Sequence, residues 1–216
     1  MVAAETLREE TVVIAFDLYD TVLDREAVLV PALGNLLERH GNDADPSILL
    51  RRYLAMHFRD SMIDSLIAGP HTPFKEISYR ALSYRLEQMG LEVPDGEVRA
   101  VVRKWKTLEP YDDVTAPFER LQHDYVLVGL SNGRHHMLDA VEGSLDVRLD
   151  VVVRVAEAGA CNPHLPVSCL PSERFGFAPP QVPFVTPHTF PLVGSTSSLL
   201  RFSFLPPPAP PPPGWL

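Results

Sequence analysis

Hydrophobic residues form three short, continuous runs that the pattern assigns to β-strands. The runs cover residues 11–16, 125–130 and 149–155, and polar or turn-forming residues flank them. Continuous apolar runs of this length are typical of strands buried on both faces, as in a parallel sheet. A fourth strand is predicted at 182–186, although Pro183 would weaken its hydrogen bonding to a neighbouring strand.

Helical periodicity dominates the region between the first two strands. Residues 25–108 contain four amphipathic segments and no convincing strand. The second segment begins after Asp45, since Pro46 is well placed at a first helical position, and the third and fourth cover 75–89 and 97–106. We therefore predict a four-helix insert. The residues expected to face its core are Leu29, Leu33, Leu36 and Leu37 in the first helix and Leu50, Leu54, Phe58 and Met62 in the second.

The C-terminal region differs in composition from the rest of the chain. Fifteen of the 22 prolines lie between Pro163 and Pro213, and no acidic residue follows Glu173. Residues 206–213 are nearly pure proline, which favours an extended polyproline II conformation. This region is poorly suited to a packed core.

Strands that alternate with helices indicate an α/β protein with a Rossmann-like parallel sheet. We predict a short helix at 116–123 and a further helix of about ten residues after the second strand. The expected organisation is a discontinuous α/β core at 10–24 and 112–200, a helical cap at 25–111, and a disordered, proline-rich tail at 201–216.

Composition and charge exclude several classes of protein. The 216 residues are 45% hydrophobic and 22% charged, which is ordinary for a globular chain able to bury a core. The net charge of −9 disfavours nucleic acid and anionic membranes as partners. We find no stretch of about 18 apolar residues and no signal-peptide pattern, and therefore expect no membrane span. Cys161 and Cys169 lack metal-ligand spacing, so we expect no disulfide framework, no metal site and a cytoplasmic location.

Asp17 is the first candidate for chemistry because it follows directly after the first predicted strand. Open α/β sheets bind ligands at the carboxyl ends of their strands. A partly desolvated carboxylate at such a place can act as a nucleophile and form an ester. The alternative is an acid that only caps a turn or a helix after the strand. Its position alone supports the two interpretations equally.

The motifs around Asp17 favour the first interpretation. The segment DLYDTVLD, which starts at Asp17, resembles the first motif of the haloacid dehalogenase superfamily, and LSNG at 130–133 resembles its second. The helical insert lies where this superfamily carries its cap. Phosphatase branches have a proton-donating acid at the position of Tyr19, and Asp20, one residue further on, is expected to point elsewhere. The chain therefore resembles the type II 2-haloacid dehalogenases, which displace halide and need no proton donor.

The resemblance implies roles for residues at the strand ends. Asp17 would attack the α-carbon of a small anionic 2-haloacid and form an ester, and Thr21 would orient the Asp17 carboxylate. Ser131 and Asn132 would hold the substrate carboxylate or the halide, while Tyr19 would line the substrate site. Ser131 and Asn132 are also common in turns and helix N-caps, and both interpretations can hold together.

The resemblance also implies a substrate-binding arginine in the second cap helix. Arg51 matches that position, with Arg52 as the alternative. Adjacent helical residues point about 100° apart, so only one of the two can face the site. Neither His57 nor any other histidine has the spacing of a nucleophile or a metal ligand, and we expect all of them at the surface or at helix ends.

Two residues that the superfamily uses are absent. Asn162 stands where the resemblance implies a lysine beside the nucleophile, no lysine follows Lys106, and Arg154 is the nearby cation that could compensate. Pro191 stands where the resemblance implies the acid that activates water. The ester could therefore form and then persist.

The sequence leaves three functions open. The first is a hydrolase of carbon–halide bonds with slow or absent turnover, which needs no metal or organic cofactor. The second is a Mg²⁺-dependent phosphatase of the same superfamily. The third is a non-catalytic binding protein whose proline-rich tail would be a ligand for SH3- or WW-type domains. Members of the family are often dimers, so the resemblance also allows a homodimer.

Overall fold

The computed structural model describes residues 10–67, 72–131, 149–154, 165–178, 181–187 and 202–204. Five of its strands form one parallel sheet, and two short strands pair separately. The strands are β1 (Val13–Asp17), β2 (Leu23–Asp24), β3 (Glu109–Pro110), β4 (Val126–Ser131), β5 (Val151–Arg154), β6 (Phe184–Thr186) and β7 (Phe202–Phe204). The sheet order is β5-β4-β1-β6-β7, with β1 in the centre. The predicted Rossmann-like α/β core is confirmed.

The central position of β1 places Asp17 at the carboxyl edge of the sheet. Asp17 is aligned with Leu130 of β4, so Ser131 follows directly on the neighbouring strand. Gly129 lets this part of the sheet pack closely, because a Cβ there would lie 2.9 Å from the Leu149 side chain. The buried core of the sheet is therefore continuous up to the edge where the candidate residues lie.

The proline-rich region contributes more strand than its composition suggests. Pro183 lies just before β6, and its carbonyl accepts a hydrogen bond of 2.9 Å from the Ala15 amide. The missing N–H of Pro183 therefore does not interrupt the strand itself. Residues 202–204, assigned to the tail from composition, instead form an edge strand paired with β6. The tail assignment is wrong for these residues, which include Phe202 and Phe204 and precede the proline run.

The helices of the insert lie between β2 and β3 in the chain. They are α1 (Arg25–Arg39), α2 (Pro46–Leu66), α3 (Phe74–Gln88) and α4 (Asp95–Arg103), followed by a 3₁₀ turn at Lys104–Lys106. The two core helices described are α5 (Thr115–Leu121) and α6 (Leu165–Phe175). The antiparallel pair of β2 and β3 joins the two ends of the insert. The predicted four-helix cap is confirmed, and its limits at 25 and 111 stay a prediction.

Local sequence explains where the cap helices begin. The Asp24 side chain accepts a hydrogen bond from the Ala27 amide at 2.9 Å, and Asp45 accepts one from the Ser47 amide at 2.7 Å. Both carboxylates therefore satisfy amides that a helix start leaves without partners, and Asp45 is followed by the expected proline.

The buried face of α1 agrees with the periodicity, whereas that of α2 does not. All four predicted leucines of α1 are buried. In α2 Leu50 is buried, but Leu54, Phe58 and Met62 are only partly so. The helix packs against both α1 and α3, and its buried face includes aromatic rings that a count of aliphatic residues overlooks. The buried residues of α2 are Leu49, Leu50, Tyr53, Met56, His57 and Ser61.

The helix predicted after the second strand lies outside the described residues. Among the helices that the structure describes, none combines the length and the hydropathy needed to cross a bilayer.

Candidate active site

Asp17 is a partly buried carboxylate at the end of the central strand. Its Oδ1 accepts a hydrogen bond from the Leu18 amide at 2.9 Å, and the Thr186 hydroxyl of β6 lies 3.5 Å from its Oδ2. Burial raises the pKa of Asp17 to about 7, although the Arg25 charge and these two hydrogen bonds act in the opposite direction. A poorly solvated carboxylate of this kind is a better nucleophile than a fully hydrated one.

A tight loop follows Asp17 and brings its polar side chains to the sheet edge. The amides of Val22 and Leu23 both donate to the Leu18 carbonyl, at 3.0 and 2.9 Å. Asp20 has a positive φ of 61°, a conformation that Asp and Asn adopt more readily than most residues. The Thr21 hydroxyl is buried and has no hydrogen-bond partner among the described residues. A role of Thr21 in orienting Asp17 stays a prediction.

Arg25 is the charged residue that the sequence analysis missed. It occupies the first position of α1, and its guanidinium reaches back to form a two-point ion pair with Asp20. Its side chain is 13% exposed, and its guanidinium carbon lies 5.6 Å from the centre of the Trp105 ring. The Asp17 charge also favours the cationic form of Arg25. A positive charge therefore lies within electrostatic reach of the candidate nucleophile.

Aromatic side chains from the loop and the cap surround this charge. Tyr19 stacks on Phe74 with ring centres 6.0 Å apart and meets the edge of Trp105 at 5.0 Å. Trp105 is fixed by a hydrogen bond of 2.9 Å from its indole N–H to the Tyr53 hydroxyl, which also bonds to Ser78. We call this group the aromatic cluster. Its members are Tyr19, Tyr53, His57, Phe74 and Trp105.

His57 belongs to this cluster, and its expected place at the surface is wrong. Its side chain is 8% exposed, and its ring lies 4.5 Å from the centre of Phe74. Burial, with a smaller contribution from the Arg25 charge, lowers the pKa of His57 to about 3. The imidazole is therefore neutral, and its buried Nδ1 has no hydrogen-bond partner among the described residues. The surface assignment failed because it considered only the spacing of ligands and nucleophiles.

We predict that His57 makes the folded chain sensitive to acid. Its folded pKa lies below the unfolded value, so its contribution to stability is complete above pH 6.5 and decreases as the pH falls. Relative to wild type, His57→Leu should gain about 2 kcal/mol in free energy of unfolding between pH 7 and 5. Urea unfolding at both pH values measures this, with the exposed His123→Leu as control. An equal pH response of His57→Leu and wild type would contradict the prediction.

The structure places the two candidate arginines of α2 differently. Arg52 is exposed and lines an outer groove of about 670 Å³ between α2 and α3, together with Arg85 and Met89. Arg51 is only partly exposed. Arg51 therefore remains the better candidate of the two for substrate binding, and this role stays a prediction.

Several predicted site residues lie outside the described part of the chain. They are Asn132, Asn162 and Pro191, and for Ser131 and Arg154 the description covers the backbone only. The backbone of Ser131 lies beside Asp17, as the resemblance implies. In the described residues, no group of three or more His, Cys, Asp or Glu side chains is arranged to hold a metal ion.

Comparison with curated proteins identifies relatives of the same kind. The chain is 27% identical over 187 residues to haloacetate dehalogenase H-2 of Moraxella sp. (strain B), which covers 84% of this chain and 80% of that protein. It is 26% identical over 194 residues to (S)-2-haloacid dehalogenase of Xanthobacter autotrophicus, covering 84% and 70%. No family model matches the chain.

Solved structures show the same fold. An L-2-haloacid dehalogenase from Xanthobacter autotrophicus with chloropropionic acid covalently bound aligns with a TM-score of 0.78 at 20% identity, over 90% of this chain and 77% of that one. Another L-2-haloacid dehalogenase aligns with a TM-score of 0.84 at 20% identity, over 94% and 90%. The sheet, the cap and the relatives together make the chain similar to the haloacid dehalogenase-like hydrolases. The curated relatives that it matches are dehalogenases of haloacetate and of (S)-2-haloacids.

Proposed function

We propose that this chain removes halide from small 2-haloacids, with Asp17 as the nucleophile. The observation that carries the proposal is the poorly solvated Asp17 carboxylate at the end of β1, with Tyr19 two residues later in the aromatic cluster. A tyrosine packed between Phe74 and Trp105 is suited to contact an apolar substrate group. It does not replace the acid that a phosphatase uses to protonate its leaving group.

The proposed first step is a displacement at carbon. One oxygen of the Asp17 carboxylate attacks the α-carbon, the carbon–halide bond breaks, and the halide leaves with the electron pair. Asp17 becomes an ester of the substrate, and no proton is transferred. Arg51, Ser131 and Asn132 are the proposed contacts of the substrate carboxylate and the departing halide.

The second step is the hydrolysis of that ester by water. Attack of water at the ester carbonyl would break the bond between the carbonyl carbon and the alkyl oxygen. This would release a 2-hydroxyacid and return Asp17 to its carboxylate form, with one proton passing to solvent. The sequence has Asn162 and Pro191 where the resemblance implies a lysine and a water-activating acid. Loss of a general base typically slows such a step by two to four orders of magnitude. We therefore propose that ester formation is faster than ester hydrolysis.

The raised pKa of Asp17 predicts a specific pH dependence for ester formation. Only the ionised carboxylate can attack, so the rate should fall about tenfold for each pH unit below 7 and level off above about pH 8. Single-turnover reactions with 2-chloropropionate, followed by intact mass, measure this rate. A rate that is constant from pH 5 to 8 would show that Asp17 is ionised throughout and would contradict the pKa of about 7.

Two other functions remain as outcomes of experiments. Magnesium-dependent hydrolysis of p-nitrophenyl phosphate would support the phosphatase, which the relatives do not favour. A binding protein that uses its proline-rich tail would lose SH3- or WW-type partners in a pull-down when residues 205–216 are removed.

The proposed enzyme uses no metal or organic cofactor, works in the cytoplasm and has small organic anions rather than nucleic acids or membranes as its partners. A homodimer is the proposed assembly.

A further inference from the structure

The charge balance around Asp17 depends on a cation from an unexpected place. Three charged residues determine this balance. Asp17 ends β1, Asp20 lies in the loop that follows, and Arg25 begins α1. The lysine that the resemblance implies is replaced by Asn162, which has no charge. Without a nearby cation, the poorly solvated Asp17 would be protonated over most of the neutral pH range.

We propose that Arg25, held in position by Asp20, supplies the positive charge that keeps Asp17 ionised, in place of the missing lysine. This role is that of a positioning residue. It rests on the proposed function, because an ionised Asp17 is what the displacement at carbon requires. Nothing in the family resemblance points to this residue.

Geometry gives the first argument. The guanidinium is fixed on one side by its two-point ion pair with Asp20 and on another by the face of Trp105 at 5.6 Å. Asp20 itself is fixed by its backbone, whose amide donates to the Leu23 carbonyl at 3.0 Å. An arginine held at two places has little freedom to leave the site for solvent. Its charge is therefore held beside the loop that follows Asp17.

Electrostatics gives the second argument. The Arg25 charge favours the ionised form of Asp17, and the Asp17 charge in turn favours the cationic form of Arg25. Asp20 shares the same guanidinium, so two carboxylates compete for one positive charge. Burial has the largest effect on Asp17 and still raises its pKa to about 7 despite the nearby arginine.

Other titratable groups near this pair do not account for a transition close to pH 7. Burial lowers the pKa of His57 to about 3 and raises that of Tyr53 to about 12. Burial also raises the pKa of Tyr111, whose neighbouring acids Asp24, Glu26 and Asp113 act in the same direction. In the described part of the chain, the groups that face Arg25 or Asp17 include Tyr19 and Asp20 in the loop, Tyr53 and His57 on α2, Tyr111 after β3 and Thr186 on β6.

Two opposite substitutions test the proposal. Arg25→Gln removes the cation and should raise the pH midpoint of ester formation by about one unit, while Arg25→Lys should restore most of the shift. Asp20→Asn removes the competing carboxylate and should lower the midpoint by about one unit. Asparagine tolerates the positive φ of this position, so Asp20→Asn should fold even if Arg25→Gln does not. If the Arg25–Asp20 pair had only a structural role, the two substitutions would change the amount of active protein. They would not move the pH midpoint of ester formation in opposite directions.

Carboxyl ¹³C NMR of Asp17 in the full chain, without substrate, provides a readout independent of activity. The Asp17 resonance, assigned by its loss in Asp17→Asn, should titrate at higher pH in Arg25→Gln and at lower pH in Asp20→Asn than in wild type. Unchanged midpoints in both variants would overturn the role of Arg25. Failure of wild type to form any adduct with 2-chloropropionate would instead overturn the proposed function, and the NMR titration would still decide on Arg25.

Discussion

Asp17→Asn should abolish ester formation, with a loss on the order of 10⁴-fold or more in the single-turnover rate. The neutral amide is nearly the same size as the carboxylate, but it lacks the charge that attacks the α-carbon. Because burial penalises the charge of Asp17, the variant should fold at least as stably as wild type above pH 7. Intact mass after incubation with 2-chloropropionate measures the adduct, and thermal unfolding confirms the fold.

Two controls make this result specific. Asp17→Ala excludes activity regained by deamidation of the asparagine. Asp112→Asn removes an exposed carboxylate and should leave the rate unchanged. Ester formation by Asp17→Ala at more than a hundredth of the wild-type rate would mean that another residue is the nucleophile.

Wild type should release about one halide per chain in a burst and then turn over at least a hundredfold more slowly. The physical reason is the absence, in the sequence, of the lysine and the acid that the resemblance places at Asn162 and Pro191. The ester should accumulate during the burst and remain visible by intact mass. Halide release followed from milliseconds to hours, with the chain at a concentration high enough to count equivalents, measures both phases.

The burst also has a clear contrary outcome. Linear halide release over many equivalents, with no accumulated adduct, would show that another group of the chain activates water efficiently. If wild type accumulates the ester as expected, Asn162→Lys provides a further test. This variant should speed ester formation, because it adds a positive charge at the position where the resemblance implies a lysine.

Most of the fold could be predicted because the sequence signals for individual strands and helices are local. Short apolar runs and an N-cap such as Asp45 each specify their own element, and the strand edges place Asp17 next to Ser131. The paired strands β2 and β3 have two residues each, too few for a periodic pattern. Strand β7 was missed because composition described its region as a whole and ignored the alternation of Phe202 and Phe204.

The site was only partly predictable because its charge balance depends on tertiary contacts. Asp17 and Tyr19 lie within a contiguous motif, so the sequence identified them. Arg25 follows the same motif by only a few residues, but its return to Asp20 becomes apparent only once the loop has folded. His57 was placed at the surface because it lacks the spacing of a ligand or a nucleophile, whereas aromatic rings from three elements enclose it.

The central claim is that Asp17 itself bonds to the substrate carbon, and peptide mapping tests it most directly. The chain is incubated with 2-chloropropionate, digested, and sequenced by tandem mass spectrometry. The account predicts that the added mass lies on Asp17 in nearly every modified chain. Modification of another residue, for example the free thiol of Cys169, with Asp17 unmodified while halide is released, would contradict it.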